Sequence, residues 1–362
     1  MGNARAGGVR PLLLSGNGLG RLGVLVSAVT VLTLALSGCA PDAPKPTPTT
    51  SPGYTSNYTP PPATALAPLR GTSVAVGSLK NASIAAKIDN HPDARPQVGL
   101  EHTDLLFEEL VEGGLTRYVA VWQSDIPELL GPVRSIRPMD PNIISPLGGI
   151  VCYSGGQQRF VNLMRNTPVY NAIHGQADTA STFYRTKDKA APHNVLVKAR
   201  ELLAQHTDIV APAQQFAYSL DVPSATATKD GAPTAALAYR FSNLIHGSWT
   251  YDSSRSVFLR EQGGKADLDS AGNQLTATNV VALRVTVSND INVPRTEMVG
   301  SGEAWVSTGG GTSHATWTKG SATDPIHLVD DQGVTIRLAP GNTWIELVPT
   351  AGDVQIVAPA AS

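Results

Sequence analysis

The tetrapeptide Leu36-Ser37-Gly38-Cys39 constrains this chain more than any other feature. It closes an uncharged apolar run, Leu22 to Leu36, that follows Arg5, Arg10 and Arg21. A positive start, a short apolar stretch and a small-residue stop make an export signal rather than a membrane span. Cysteine directly after Leu-Ser-Gly is a lipobox, so residues 1–39 read as a lipoprotein signal peptide, with Cys39 accepting a diacylglycerol after cleavage. Two acyl chains anchor stably where one does not. The expected location is the outer face of a bacterial cytoplasmic membrane, and the expected first partner is that membrane, reached through the lipid. The same motif limits how the body can be held together. The chain has two cysteines. With Cys39 committed to lipid, Cys152 has no partner in the mature chain, and stability must come from hydrophobic cores.

Residues 40–72 are rich in Pro, Thr and Ser, a composition that buries no core and favours extended backbone, so they read as a linker. A second shift to Ala, Pro, Thr and Asp-Gly at 207–235 marks a connection between an N-terminal domain, 73–206, and a C-terminal domain, 236–355. The net charge of -2 gives no electrostatic case for nucleic acid.

In the first domain, Ile84-Ala85-Ala86-Lys87-Ile88 reads as a buried strand ending in the turn chemistry of Asp89-Asn90-His91-Pro92. Leu105–Val111 and Leu115–Trp122 flank Glu112-Gly113-Gly114 and fit a hairpin turning at the two glycines. With that turn, Glu108 and Glu112 share a face with Arg117, while Glu109 points among Phe107, Tyr118 and Trp122 and needs a partner or a proton. Gly131-Pro132-Val133-Arg134-Ser135-Ile136-Arg137-Pro138 is a stiff loop carrying two arginines, suited to an internal or a ligand anion. Gly148–Tyr153 reads as a second strand, and Ser154-Gly155-Gly156 as a small turn before a helix over 157–166. Ser154 lacks the elbow of a serine nucleophile. Asn194 is expected to cap a helix from Val195 to about Gln205, with His193 beside it. If the two strands run parallel, their polar ends share one edge, where open α/β sheets bind ligands.

The second half changes to short β-like runs, among them Leu237–Phe241, Val280–Val287, Val334–Leu338 and Trp344–Val348, separated by Gly-rich turns. Trp249, Trp305, Trp317 and Trp344 read as packing residues ahead of a carbohydrate platform. The expected fold is α+β: a mixed α/β N-terminal domain with a hairpin, then a mostly antiparallel β domain.

Several of these stretches together resemble the YerB-like family of lipoproteins. They are Ile88-Asp89-Asn90-His91-Pro92 with Arg95-Pro96-Gln97, Glu108-Glu109 through Glu112-Gly113-Gly114 to Thr116-Arg117, and the arginine loop. Ser154-Gly155-Gly156, His193-Asn194, Gly300-Ser301-Gly302, Trp317 with Lys319, and Leu338–Thr343 leading into Trp344-Ile345-Glu346-Leu347-Val348-Pro349 complete the set. The resemblance spans nearly all of the mature chain. It implies paired N- and C-terminal domains of unknown function and supplies no activity.

Two functions follow from the residues. One is a tethered binding or assembly protein of the cell envelope, recognising an envelope protein, a glycan or a small anionic ligand. The other is an envelope hydrolase or transferase with a charged cleft. The cleft candidates are Asp89, Asn90, His91, Arg95, Glu108, Glu109, Glu112, Arg117, Arg134, Arg137, Ser154, Gly155, Gly156, His193 and Asn194. No H-E-x-x-H or comparable ligand spacing occurs, so neither a metal nor another cofactor is expected, and the sequence leaves catalysis open.

Overall fold

The computed structural model describes residues 57–360. The signal peptide, Cys39 and the first part of the linker lie outside the described residues. The chain enters the fold before residue 73. Thr64–Leu66 pairs with Ser73–Ala75, and Ala67 and Leu69 between them are fully buried.

We number the principal strands in chain order. In the first half these are β1 (Ile84–Asp89), β2 (Leu105–Leu110), β3 (Thr116–Trp122), β4 (Ile150–Tyr153), β5 (Tyr170–Ile173) and β6 (Val195–Lys198). In the second half come β7 (Ala236–Arg240), β8 (His246–Asp252), β9 (Val257–Gln262), β10 (Asn279–Val285), β11 (Gly300–Thr308), β12 (Gly311–Lys319), β13 (Thr343–Pro349) and β14 (Asp353–Val357). Helix α1 is Gln158–Arg165 and α2 is Ala199–Ala204.

One sheet of eleven strands runs through both halves, in the order β12-β11-β10-β13-β2-β3-β1-β4-β5 with two short strands on β12. β13 lies between β10 and β2 and is parallel to both. A second sheet, β9-β8-β7-β14 with short additions, covers one face. The strand sequences explain this layering. Ile84-Ala85-Ala86 and Val280-Val281-Ala282-Leu283 are continuous apolar runs, the pattern of strands buried on both sides. Alternation divides them between two cores. Ala85, Phe107, Val119, Val151, Val281 and Ile345 pack on one side with Phe160, Val161 and Met164 of α1. Ala86, Leu106, Tyr118, Cys152, Val280 and Trp344 pack on the other with Leu237, Trp249 and Phe258 of the second sheet. Each such aliphatic side chain contributes ~1.5–3 kcal/mol on burial. Cys152 is one of these core residues, its thiol pushed well above the ordinary range by burial.

The architecture is broadly α+β and rich in strand. Three local expectations are corrected. Val195 to Lys198 is strand β6, antiparallel to Phe183–Arg185, and helix begins only at Ala199. The β-branched Val195 and Val197 suit a buried strand. Val334–Leu338 forms isolated bridges rather than a strand. The β2–β3 hairpin pairs Leu110 with Thr116 and Glu109 with Arg117, one residue out of the expected register. A 3-10 turn over Glu112–Gly114 closes it, with the Val111 amide donating to the Leu115 carbonyl. A one-residue slip exchanges the two faces completely. Glu109 therefore shares a face with Arg117, and Glu108 faces the aromatic core beside Tyr118.

Candidate functional site

The arginine loop is fastened at both ends to strands. The Asp89 amide donates to the Pro132 carbonyl, the Arg134 amide to the Lys87 carbonyl and the Val133 amide to the Val195 carbonyl. This lays the loop across the C-terminal end of β1 and the start of β6. It delivers Arg134 and His193 to the same carboxylate. His193 Nδ1 lies 2.7 Å from Asp89 Oδ2, and Arg134 Nε lies 3.2 Å from that oxygen. The other Asp89 oxygen accepts the His91 amide at 3.1 Å. The His91 ring stacks on His193 with centroids 4.5 Å apart and planes at 18°.

Beside this group lie two more guanidinium groups. Arg117 sits across from Asp89 on β1 and from Glu109 on β2. Its side chain donates to the Ser135 carbonyl at 3.0 Å, and Arg137 donates to that same carbonyl at 3.2 Å. Arg137 is also paired with Glu112 at 2.7 Å. Burial, and then the Arg137 charge, push Arg117 down to about 10. Hydrogen bonding from Arg137 keeps the Glu112 carboxyl below its ordinary range, against the opposing effect of burial. Three cations thus converge at one strand edge against two carboxylates, Asp89 and Glu112.

β1 and β4 run parallel, which brings Ser154-Gly155-Gly156 to this edge. The turn is occupied with structure. The Ser154 amide donates to the Arg134 carbonyl and the Ile136 amide to the Gly155 carbonyl. Gly155 and Gly156 have φ of 65° and 150°, and a Cβ on Gly156 would stand 2.9 Å from Ile136. Ser154 Oγ meets His174 Nδ1 at 3.2 Å, an edge residue not anticipated from the sequence.

The remaining candidates belong to two sealed networks. Glu109 pairs with Lys87, which also holds Asp140 at 2.7 Å, and all three side chains are fully buried. Burial pushes Lys87 down to about 8, the Asp140 carboxylate opposing that shift. Glu108 pairs with Arg260 of β9 at 2.5 Å, and Arg260 pairs with Asp267 as well. Thr116 donates to Glu108 at 2.5 Å, and Asn90 joins through Glu108 and Thr116. Arg95 donates to the Asn90 side chain at 2.8 Å. The Arg260 guanidinium lies over the Trp344 ring at 4.6 Å. Glu346 of β13, in register with Glu108, accepts from Trp249 Nε1 at 2.8 Å, and burial and then the Glu108 charge push its carboxyl well above the ordinary range. Trp249, Trp317 and Trp344 are core residues, whereas Trp305 is half-buried.

Asp89 and Asn90 therefore serve opposite sides of the sheet, and the fifteen-residue cleft read from the sequence divides into an edge and two interiors. Asn194 caps no helix. Its side chain accepts from Arg185 at 2.7 Å and donates to the Thr186 carbonyl at 3.1 Å, tying β6 to its neighbour. Arg260 and Glu346 were not anticipated. Glu346 is a lone charge within an apolar run and Arg260 follows Val257-Phe258-Leu259, and neither shows its partner until the second sheet is set against the first.

A two-sheet β-rich α+β body with a cationic strand edge is the class that this geometry defines. Residues 69–210 match the model described as "Protein of unknown function (DUF3048) N-terminal domain", and residues 237–345 match its C-terminal domain. The chain belongs to this family. It is 25% identical over 295 residues to "Putative lipoprotein YerB" of Bacillus subtilis (strain 168), covering 78% of this chain and 86% of the relative. The crystal structure of YerB from Bacillus subtilis superposes with a TM-score of 0.69 at 22% identity, over 80% of this chain and 99% of that one, a likeness of fold.

Proposed function

We propose that this chain is a lipid-anchored binding or assembly protein on the outer face of a bacterial cytoplasmic membrane, and that its cationic edge takes an anionic group, a carboxylate or a phosphate. The observation that carries the reading is the convergence of Arg117 and Arg137 on one carbonyl oxygen beside Arg134. Like charges gathered at a partly open edge gain from an added anion, and guanidinium forks match carboxylate and phosphate oxygens. The similarity to a protein named as a lipoprotein supports the anchor. Among the described residues no helix is long and apolar enough to cross a membrane.

The hydrolase or transferase reading needs Asp89, His91, Glu109, Glu112 and Arg134 around one substrate atom. Glu109 is enclosed with Lys87 and Asp140, and Glu112 is engaged by Arg137, which favours binding.

Calorimetric titration of the full-length protein in detergent with inorganic phosphate tests the site. One saturable event is expected, and Arg117→Gln with Arg134→Gln should weaken it at least ~10-fold, as loss of charge-assisted hydrogen bonds requires. Absence of binding at millimolar phosphate would remove the anion site. Cys39→Ser should release the protein or leave it unprocessed, and a mutant still membrane-bound at mature size would remove the anchor.

A further inference from the structure

We propose that His91, Asp93 and His193 form a binding site for a divalent transition-metal ion of the zinc class. A nitrogen of each histidine and a carboxylate oxygen of Asp93 all lie within 4.8 Å of one another. One of the two imidazoles, His193, is already oriented by a carboxylate on one ring nitrogen. Asp89 accepts from His193 Nδ1, so that nitrogen carries the proton and Nε2 keeps its lone pair. A carboxylate behind a ligating histidine is the usual outer support of a zinc site. Arg134 braces the same Asp89 oxygen from the other side. His91 is fixed in the opposite sense. Its Nδ1 accepts the Asp93 amide at 3.2 Å, and a metal would replace that hydrogen bond on the same lone pair.

His91 Nδ1 and Asp93 Oδ2 are 3.5 Å apart. Tetrahedral zinc with ligands at ~2.0–2.1 Å sets ligand atoms ~3.3 Å from each other, so this pair is nearly in place. The two rings stack, so their in-plane lone pairs converge on one ion only after a ring turns, and that closure falls to side chains able to move. Asp93 is 70% exposed and His91 35% exposed, whereas His193 is 14% exposed and held by Asp89. Two imidazoles and one carboxylate favour zinc, cobalt or nickel over calcium or magnesium, which prefer all-oxygen shells. Three protein ligands leave a fourth position for water or a ligand atom. Its ligands include none of the three arginines, although Arg134 braces the Asp89 carboxylate that supports His193.

Isothermal titration of the tag-free, full-length protein in detergent, stripped by chelator, tests the site with Zn²⁺ alone. One equivalent is expected to bind. Co²⁺ should give a visible absorption band of tetrahedral coordination. His193→Ala should lose at least ~10-fold in affinity, and Asp89→Asn ~10–100-fold although it touches no metal. Asp93→Asn is an exposed change that leaves the fold intact and should weaken binding several-fold. A wild-type protein that binds no Zn²⁺ would overturn the proposal. So would an Asp93→Asn protein that binds as the wild type does, even if the histidine variants fail to fold. Either result would leave phosphate binding by the arginines to stand on its own titration.

Discussion

Asp89 and Asn90 are consecutive, yet they enter charge clusters of opposite character. Asp89, itself buried, meets His193 and Arg134 at an edge where both partners keep part of their surface exposed, whereas Asn90 meets Glu108, Thr116 and Arg95 at the border of the cluster around Arg260. The same residue types serve both. What separates them is the second sheet, which covers one face of β1–β3 and excludes water around Glu108, Arg260, Asp267 and Glu346. Sealed charges must be paired within the molecule, and their removal is felt as lost stability. Charges at the edge remain available to something outside, and their removal should be felt as lost binding.

Arg260→Met breaks the comparison hardest. It leaves Glu108 and Asp267 buried without their cation, and urea denaturation at neutral pH should report a loss of ~3–5 kcal/mol. A loss below about 1 kcal/mol would mean that the interior cluster is hydrated after all. Glu346→Gln is next, and its effect depends on pH. The folded pKa of Glu346 is raised, so the folded chain keeps a proton that the unfolded chain releases above its ordinary carboxyl range. This contribution is fully favourable below the unfolded pKa and is lost as pH rises toward the folded one. The amide mimics the protonated acid at every pH. The melting temperature of the variant relative to wild type should therefore climb between pH 5 and 8, by about 1 kcal/mol or more in stability terms. A flat difference would place a charge, not a proton, on Glu346.

At the edge, Arg137→Gln should cost about 1 kcal/mol or less in denaturation while weakening phosphate binding by ~10-fold. The reverse ranking would make the edge a structural ion-pair array. The smallest effect belongs to the exposed His314, which Asp331 and Glu303 flank at 2.6 and 3.0 Å. Hydrogen bonding to those carboxylates raises its pKa. Its stabilisation is present below the unfolded pKa and lost as pH rises through the folded value. Asp331→Asn should thus cost a few tenths of a kcal/mol at pH 6 and nothing measurable at pH 8 in paired melts.

The legible parts of the sequence were those governed by local pattern. The apolar runs of β1 and β4 read as buried strands, those of β10 and β13 as short β-like runs, Gln157–Asn166 as helix, and Ser154-Gly155-Gly156 lies at the same edge as Asp89 because β1 and β4 are parallel. What escaped depends on partners distant in the chain. The faces of Glu108 and Glu109 turned on how a 3-10 turn spends one residue. Val195–Lys198 lacked a visible strand partner, which Phe183–Arg185 supplies. Arg260 reads as a surface arginine until Glu108, from the other half of the chain, is set against it. His91 and His193 carry no ligand spacing because the fold, not the sequence, makes them neighbours.

The placement of β13 carries a further consequence, for biogenesis. Ribosomes deliver β2 early and β13 almost last, yet β13 is the rung that fills the gap between β2 and β10. Until β13 is made, the β2 edge that it pairs with lacks its native partner and is open to other strands. The two halves named by the family models are therefore interlocked at maturation, and a prematurely terminated copy lacking those final residues would emerge sticky and protease-sensitive rather than half-functional.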